Sequence, residues 1–164
     1  MGSGKTTLGR ARARRLGWTF VDLDALIETT CGRSVGDLIR HEGEPEFRRL
    51  ELETLRGLVG SGPRSCVVAT GGGIVETAAA LRLLQRLGTV VWLRADPQVC
   101  VERLAEPRRA RPLLDDETTW RQRYRRREPL YRRAARHTLD THPQTVEACV
   151  ARLLELLDTR DVAR

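Results

Sequence analysis

Hydrophobic positions along the chain fall into two kinds of segment that alternate from end to end: short continuous runs, and longer stretches with the spacing of a helix face. The short runs predict β-strands at residues 18–21, 66–69, 89–93 and 138–140. The longer stretches predict helices at residues 6–16, 34–40, 44–59, 76–87, 97–104, 118–135 and 143–157. Strands that alternate with helices are typical of βαβ units, so the pattern predicts an α/β fold of three layers around a parallel sheet.

The chain has 164 residues, enough for one hydrophobic core and too few for two, so we expect a single domain over residues 1–164. Hydrophobic residues make up 40% and charged residues 31%. No apolar run approaches the ~20 residues that a membrane-spanning helix needs. Because no apolar leader segment opens the chain, we expect a cytoplasmic protein without a membrane partner.

Cysteine spacing and charge limit the possible partners. The four cysteines lie at least 34 positions apart, which excludes the CxxC spacing of metal and redox sites. A net charge of +7 fits nucleic acid or a small phosphate-rich molecule, but basic residues are spread along the chain and no base-stacking surface is evident. We therefore favour the small molecule. Lys5 is the single lysine among 29 basic residues, which indicates a position that requires a compact charge.

The first residues match the second half of the phosphate-binding motif G-x-x-x-x-G-K-[ST]. They are Gly2, Ser3, Gly4, Lys5, Thr6 and Thr7. Glycines let backbone N–H groups turn towards phosphate oxygens, and the helix that follows adds its dipole. We expect Lys5 to bridge the β- and γ-phosphates of a nucleotide and the Thr6 hydroxyl to bind Mg²⁺.

The first glycine of this motif and the buried strand that normally precedes it are not in the sequence. About ten residues, a strand and its turn, would supply them. We expect that Met1 is an internal methionine or that the chain is cut from a longer one, and that the sheet lacks its first, central strand. Such a chain should be much less stable than one extended upstream.

Two acidic residues follow the first predicted strand. Asp22 and Asp24 stand at its C-terminal end, where open α/β sheets bind ligands, and an extended segment would point both side chains the same way. Asp22 suits Mg²⁺, and Asp24 suits a substrate hydroxyl that must be oriented and deprotonated. The alternative is a solvated turn or the N-cap of a helix.

Arginine and glycine supply further candidates. Arg48 and Glu51 share one face of a predicted helix, where the carboxylate can hold the guanidinium ready for an anionic substrate. The alternative is an ordinary surface ion pair. Gly71, Gly72 and Gly73 follow a buried strand and either let a ligand approach the backbone or form a flexible turn.

An arginine-rich stretch between two predicted helices has the position of a lid, at about residues 105–117. Lids exclude water and supply an arginine for the charge on a transferred phosphoryl group. Arg127 lies in the basic helix that follows, where charge alone does not distinguish it from its neighbours.

In this order and spacing, the motifs resemble those of the shikimate kinases, small P-loop kinases of the nucleoside-monophosphate-kinase-like group. The matching segments are the phosphate loop, Asp22-x-Asp24, residues 47–51, 71–73, 111–114 and 127–131. The resemblance covers nearly the whole chain and is far more specific than any single motif. It implies a P-loop NTPase fold, a monomer, and phosphorylation of the 3-hydroxyl of shikimate by ATP to give shikimate 3-phosphate.

For the acceptor, the resemblance implies that Asp24 binds the shikimate hydroxyls and serves as base. Arg48 and Arg127 would hold the carboxylate. Gly72 and its two neighbours would line the same pocket through backbone N–H groups, and Phe47 would pack beside the ring.

For the nucleotide, the resemblance implies that Arg111 reaches the ATP phosphates from the lid. Arg109 or Arg108 would flank the adenine together with Pro143. Mg²⁺ would lie between the phosphates and the side chains of Thr6 and Asp22.

Three alternatives stay open at the level of sequence. A kinase for another hydroxylated carboxylate, such as gluconate, would keep the phosphate loop but would not need Arg48 and Arg127 as a pair. An inactive remnant, or a piece of a fused shikimate-pathway protein, would account for the absent strand. A nucleic-acid-binding module would bind any duplex with a steep salt dependence.

Overall fold

The computed structural model describes residues 2–61, 65–100 and 117–157. The lid predicted at residues 105–117, with Arg108, Arg109 and Arg111, therefore lies outside the described residues except for Glu117. Residues 97–100 are helical, as predicted for the start of the segment 97–104.

Helices and strands alternate along the chain, as the hydrophobic pattern predicts. The helices are α1 (Lys5–Leu16), α2 (Leu23–Cys31), α3 (Val35–Glu42), α4 (Glu44–Ser61), α5 (Ala78–Leu87), α6 (Glu117–Ala134) and α7 (Val146–Leu156). The strands are β1 (Thr19–Asp22), β2 (Cys66–Ala69), β3 (Val91–Arg94) and β4 (His137–Asp140). A 3₁₀ helix covers Gly72–Glu76. No helix in these ranges is long and apolar enough to span a bilayer.

The strands form two parallel pairs. β1 pairs with β2, with Thr19 opposite Cys66, and β3 pairs with β4, with Val91 opposite His137. Parallel pairing is confirmed, but within the described ranges β2 and β3 are each hydrogen-bonded along one edge only. A cleft lies beside the two pairs, lined by Thr70 after β2 and by Val90 to Leu93 around β3. We call it the central cleft.

Two clusters of buried side chains account for most of the core. The larger one joins α2, α3, α4, α5, α6 and the 3₁₀ helix through Leu23, Ile27, Leu38, Phe47, Leu55, Ile74, Val75, Ala80, Leu81 and Ala134. The smaller one joins α1, β4 and α7 through Leu8, Leu139, Cys149 and Leu153. The larger cluster fixes α4 against the 3₁₀ helix, and these two elements carry four of the residues predicted to bind the acceptor, Phe47, Arg48, Gly72 and Gly73.

The expectation that Asp22 and Asp24 belong to one extended segment is wrong. Asp22 ends β1 and is the N-cap residue of α2, and Asp24 lies in the first turn of that helix. Leu23 and Ile27, four positions apart, are both fully buried, so the helix is stabilised by an apolar face. The helix has only about two turns, which is too few for this spacing to stand out in the sequence.

Candidate active site

The phosphate loop has the backbone geometry that its glycines permit. Gly2 and Gly4 have φ angles of 73° and 84°, in the left-handed region that other residues rarely adopt. α1 begins at Lys5, directly after Gly4, so the first N–H groups of the helix face the loop. An added Cβ on Gly2 would lie 2.8 Å from the Cys100 carbonyl oxygen. The loop is therefore held in a conformation that an anion can use.

Oxygen atoms suited to Mg²⁺ lie beside the loop. The Thr6 hydroxyl donates a hydrogen bond to Asp22 Oδ2 at 3.0 Å, which brings α1 and the end of β1 together. A hydroxyl and a carboxylate are ligands that Mg²⁺ accepts when phosphate oxygens and water complete its shell. Among the described residues there is no cluster of three His, Cys, Asp or Glu side chains that could hold a metal.

A buried carboxyl group lies next to Asp24. Glu51 is fully buried on α4, and its Oε1 has no hydrogen-bond partner within the described part of the chain. Burial raises the pKa of Glu51 to about 7, and the neighbouring Asp24 adds to the shift while Arg48 opposes it. Oxygens of both carboxyl groups lie close to Gly71. Asp24 thus lies beside a buried carboxyl group whose pKa is raised to about 7.

Arg48 is fixed from two sides by α4 itself. Its Nη1 donates to Glu51 Oε2 at 2.8 Å and its Nη2 to Glu44 Oε1 at 2.7 Å. The guanidinium lies 5.2 Å from the centre of the Phe47 ring, which is itself buried in the core. The side chain is only 14% exposed. The alternative of a surface ion pair is therefore wrong, and the predicted Arg48–Glu51 pair is confirmed.

α6 brings Arg127 to the same place. Arg127 Nε and Nη2 donate to Glu76 Oε2 at 2.9 and 2.7 Å, and Arg126 Nη2 donates to the other oxygen of Glu76 at 2.5 Å. Burial acts in the opposite direction, but these arginines hold the pKa of Glu76 below its usual value. Arg127 Nη2 also lies 3.8 Å from Glu44 Oε1. Arg48 and Arg127 therefore share Glu44 as a partner.

Each of the three successive glycines makes room for a side chain. An added Cβ would lie 3.0 Å from Glu51 Oε1 at Gly71, 2.8 Å from Tyr131 Oη at Gly72 and 1.9 Å from Arg48 Nη2 at Gly73. Tyr131 donates to the Gly72 carbonyl at 2.9 Å. The glycines begin a packed 3₁₀ helix, so the alternative of a flexible turn is wrong.

Sequence reasoning missed Glu44, Glu76 and Tyr131. Glu44 precedes Arg48 by four positions on a predicted helix, which is a usable signal for an ion pair. Tyr131 lies four positions after Arg127 and so on the same face of α6. For Glu76 there is no local signal, because its partner Arg127 is 51 positions away.

The remaining candidate residues lie in two places, the central cleft and the neighbourhood of a separate recess. Ser3 and Lys5 line the central cleft together with Gly71 and Gly72, so the phosphate loop lies near the glycine run. Pro143 follows His142, which lines a separate recess with Arg94 and Tyr124. Pro143 itself does not line this recess, and its predicted contact with the adenine stays a prediction.

A phosphate loop near a glycine run that contacts an arginine and an aspartate is typical of a P-loop kinase for a small anionic acceptor. Comparison with known proteins narrows the class. The sequence profile described as shikimate kinase matches residues 1–158, and the chain belongs to the shikimate kinase family.

Individual relatives agree with this assignment. A shikimate kinase from Symbiobacterium thermophilum is 39% identical, over 98% of this chain and 93% of that one. One from Ruegeria pomeroyi is 37% identical, over 98% and 82%. The solved structure of a shikimate kinase from Acinetobacter baumannii in complex with shikimate has a TM-score of 0.89 and 34% identity, covering 96% of this chain and 88% of that chain. The P-loop NTPase fold predicted from the motifs is confirmed.

Proposed function

We propose that this protein transfers the γ-phosphoryl group of ATP to the 3-hydroxyl of shikimate, giving shikimate 3-phosphate and ADP. The observation that carries the proposal is the meeting of Arg48 and Arg127, from α4 and α6, at one carboxylate beside the glycine run. Two guanidinium groups that share one internal carboxylate offer the same fork geometry to the carboxylate of a ligand.

Asp24 is the group we assign to the acceptor hydroxyl. It lies on the first turn of α2, close to the backbone of Gly71, so a ring held at its carboxylate by the arginines would present its hydroxyls to this end of the site. Asp24 takes the proton of the 3-hydroxyl as the oxygen attacks the γ-phosphorus, and the bond to the β-phosphate oxygen breaks. The packed 3₁₀ helix keeps the base and the arginines at a fixed separation.

The phosphate loop binds the nucleotide in this proposal. Lys5 contacts the β- and γ-phosphates, and the N–H groups of the loop and of the start of α1 contact their oxygens. Thr6 and Asp22 would hold Mg²⁺, which would supply positive charge to offset the negative charge of the phosphates. The family pattern assigns Arg111 of the lid to the phosphates, and Arg109 and Pro143 to the adenine.

The wider context is also proposed. The protein acts as a single domain and a monomer in the cytoplasm, in the biosynthesis of aromatic amino acids. Neither nucleic acid nor a membrane surface is required for an activity whose two substrates are small and soluble.

Release of ADP with shikimate and with gluconate as acceptors tests the proposed function. We expect turnover with shikimate and none with gluconate, because only a rigid ring places a carboxylate on the arginines and a hydroxyl at Asp24 together. Asp24→Asn should lower kcat by at least ~10²-fold and leave ATP binding nearly unchanged. Turnover of gluconate alone would contradict the proposal, and an Asn variant of normal kcat would remove Asp24 from the role of base.

A further inference from the structure

Glu44 occupies an unusual position between the two arginines assigned to the substrate. Its Oε1 accepts a hydrogen bond from Arg48 Nη2 at 2.7 Å and lies 3.8 Å from Arg127 Nη2. These are the two guanidinium groups that the proposed function assigns to the carboxylate of shikimate. A substrate carboxylate and the Glu44 carboxylate cannot both lie between them.

The other carboxylates near these arginines are less free to leave. Glu51 is 1% exposed and packs against Gly71. Glu76 is held by Arg126 and Arg127, one arginine at each oxygen.

Glu44 differs from both of these residues. Its side chain is 39% exposed, and it stands at the first position of α4, from which it can swing into solvent. Of the three carboxylates, Glu44 is therefore the least constrained and the one that an incoming carboxylate can displace.

We propose that Glu44 is an internal stand-in for the substrate carboxylate, which bridges Arg48 and Arg127 until shikimate binds and displaces it. This inference rests on the proposed function. Through these contacts, Glu44 limits repulsion between two guanidinium groups that are 14% and 11% exposed. When substrate arrives, the contact between Glu44 and Arg48 is exchanged for a contact between substrate and arginine, so Glu44 lowers the affinity for the anionic ligand.

Glu44→Gln isolates this exchange, because it keeps the size of the side chain and removes its charge. We expect the Kd for shikimate to fall about fivefold, which corresponds to ~1 kcal/mol. The neutral methyl ester of shikimate should bind wild type and variant equally, because it carries no carboxylate to compete. Calorimetric titration at fixed, low ionic strength measures both ligands.

Glu46→Gln is the matched control. Glu46 lies on the same turn of α4 and pairs with Arg49, whose side chain is half exposed, so its loss should leave both Kd values unchanged. Glu44→Asp serves as a second variant. It keeps the charge on a shorter side chain, and its Kd should fall between those of the wild type and of Glu44→Gln.

The possible outcomes distinguish a failure of the inference about Glu44 from a failure of the proposed function. Equal or weaker binding of shikimate by Glu44→Gln, an equal gain for the ester, or the same gain in Glu46→Gln would overturn the role of Glu44. A wild-type protein that neither binds nor phosphorylates shikimate would instead overturn the proposed function. Tighter binding confined to shikimate and to the Glu44 variants supports both.

Discussion

Glu51 lies on the buried face of α4, between Arg48, to which it is hydrogen-bonded, and Asp24. The free-energy cost of removing the ionised carboxylate from water exceeds the stabilisation that the ion pair with Arg48 provides. Burial therefore raises the pKa of Glu51 from the ordinary 4.5 to about 7. Arg127 also acts on this group and lowers the pKa slightly. Since the raised pKa falls near neutral pH, the charge beside the proposed base changes within the physiological range.

The raised pKa predicts how stability depends on pH. A carboxyl group with a pKa of about 7 in the folded state and 4.5 in the unfolded state favours folding below pH 4.5, and this contribution is lost as pH rises through 7. The side chain of the Glu51→Gln variant cannot ionise. Between pH 4.5 and 8, the free energy of unfolding of this variant should therefore rise by about 3 kcal/mol relative to that of the wild type. Thermal unfolding of both proteins across this pH range measures the difference between their free energies of unfolding.

A control on the same helix shows whether the effect belongs to Glu51. Glu53 is half exposed and pairs with Arg49, so Glu53→Gln should follow the wild type at every pH. A gap between wild type and Glu51→Gln that stays constant from pH 4.5 to 8 would mean that the pKa of Glu51 is the same in the folded and the unfolded protein.

Whether a contact within the site could be predicted depends on how far apart its two residues lie in the chain. The pair Arg48–Glu51 could be predicted because helical spacing of three positions brings the two side chains together. The contact of Arg127 with Glu76, 51 positions away, depends on the packing of α6 against the 3₁₀ helix, which no local pattern records. The role of Arg127 therefore came from the family resemblance alone.

At the scale of elements, α7 is tied to α1 by one buried arginine. Arg12 is 3% exposed, and its guanidinium donates to the carbonyls of Leu153 and Leu157 at 3.3 and 2.9 Å. Carbonyl groups in the last turn of a helix have no partner within the helix, and a cation there also interacts favourably with the dipole. Arg12 thus completes the C-terminal end of α7 from a neighbouring helix.

Arg12→Met keeps most of the apolar stem and removes both hydrogen bonds. We expect a loss of about 2 kcal/mol in the free energy of unfolding, or a fall in Tm of about 6 °C, with kcat unchanged, because α7 carries no residue assigned to the reaction. Arg14→Met, at an exposed position two residues further on, should shift Tm by less than about 1 °C. Equal Tm values for the two variants would show that Arg12 does not secure α7.

Most elements could be predicted from hydrophobic spacing, and the error at α2 has a physical cause. Long helices such as α4 show several turns of the apolar period. Ser34, the first residue of the segment predicted at 34–40, caps α3 and accepts from the Asp37 N–H at 3.0 Å. α2 follows β1 without a turn, and its start at Leu23 falls between two acidic residues that favour a loop. Burial of Leu23 and Ile27 against α4 outweighs that preference.

At the scale of the whole molecule, the central cleft interrupts an otherwise parallel arrangement of strands. In the ranges described, β2 bonds only to β1 and β3 only to β4, and side chains such as Val67, Val91 and Leu93 are only half-buried. Apolar strands with a free edge favour the addition of another strand. Ser3 and Lys5 of the phosphate loop line the same cleft, so a strand joined ahead of Gly2 would enter it directly.

We expect that an N-terminal extension of about six apolar, β-branched residues and a short glycine-containing turn will fill this cleft. Such a strand would pair in parallel with β2 and β3, satisfy the N–H and C=O groups of both free edges, and bury Val91 and Leu93. A gain of about 3 kcal/mol, which is about 10 °C in Tm for a chain of this length, is expected relative to an extension of equal length made of glycine and serine. Hydrogen exchange at Val67 and Val91 should slow in the apolar extension only, because their strands would become central. Equal melting temperatures for the two extensions would show that β2 and β3 do not accept a strand between them, and that the phosphate loop is held without one.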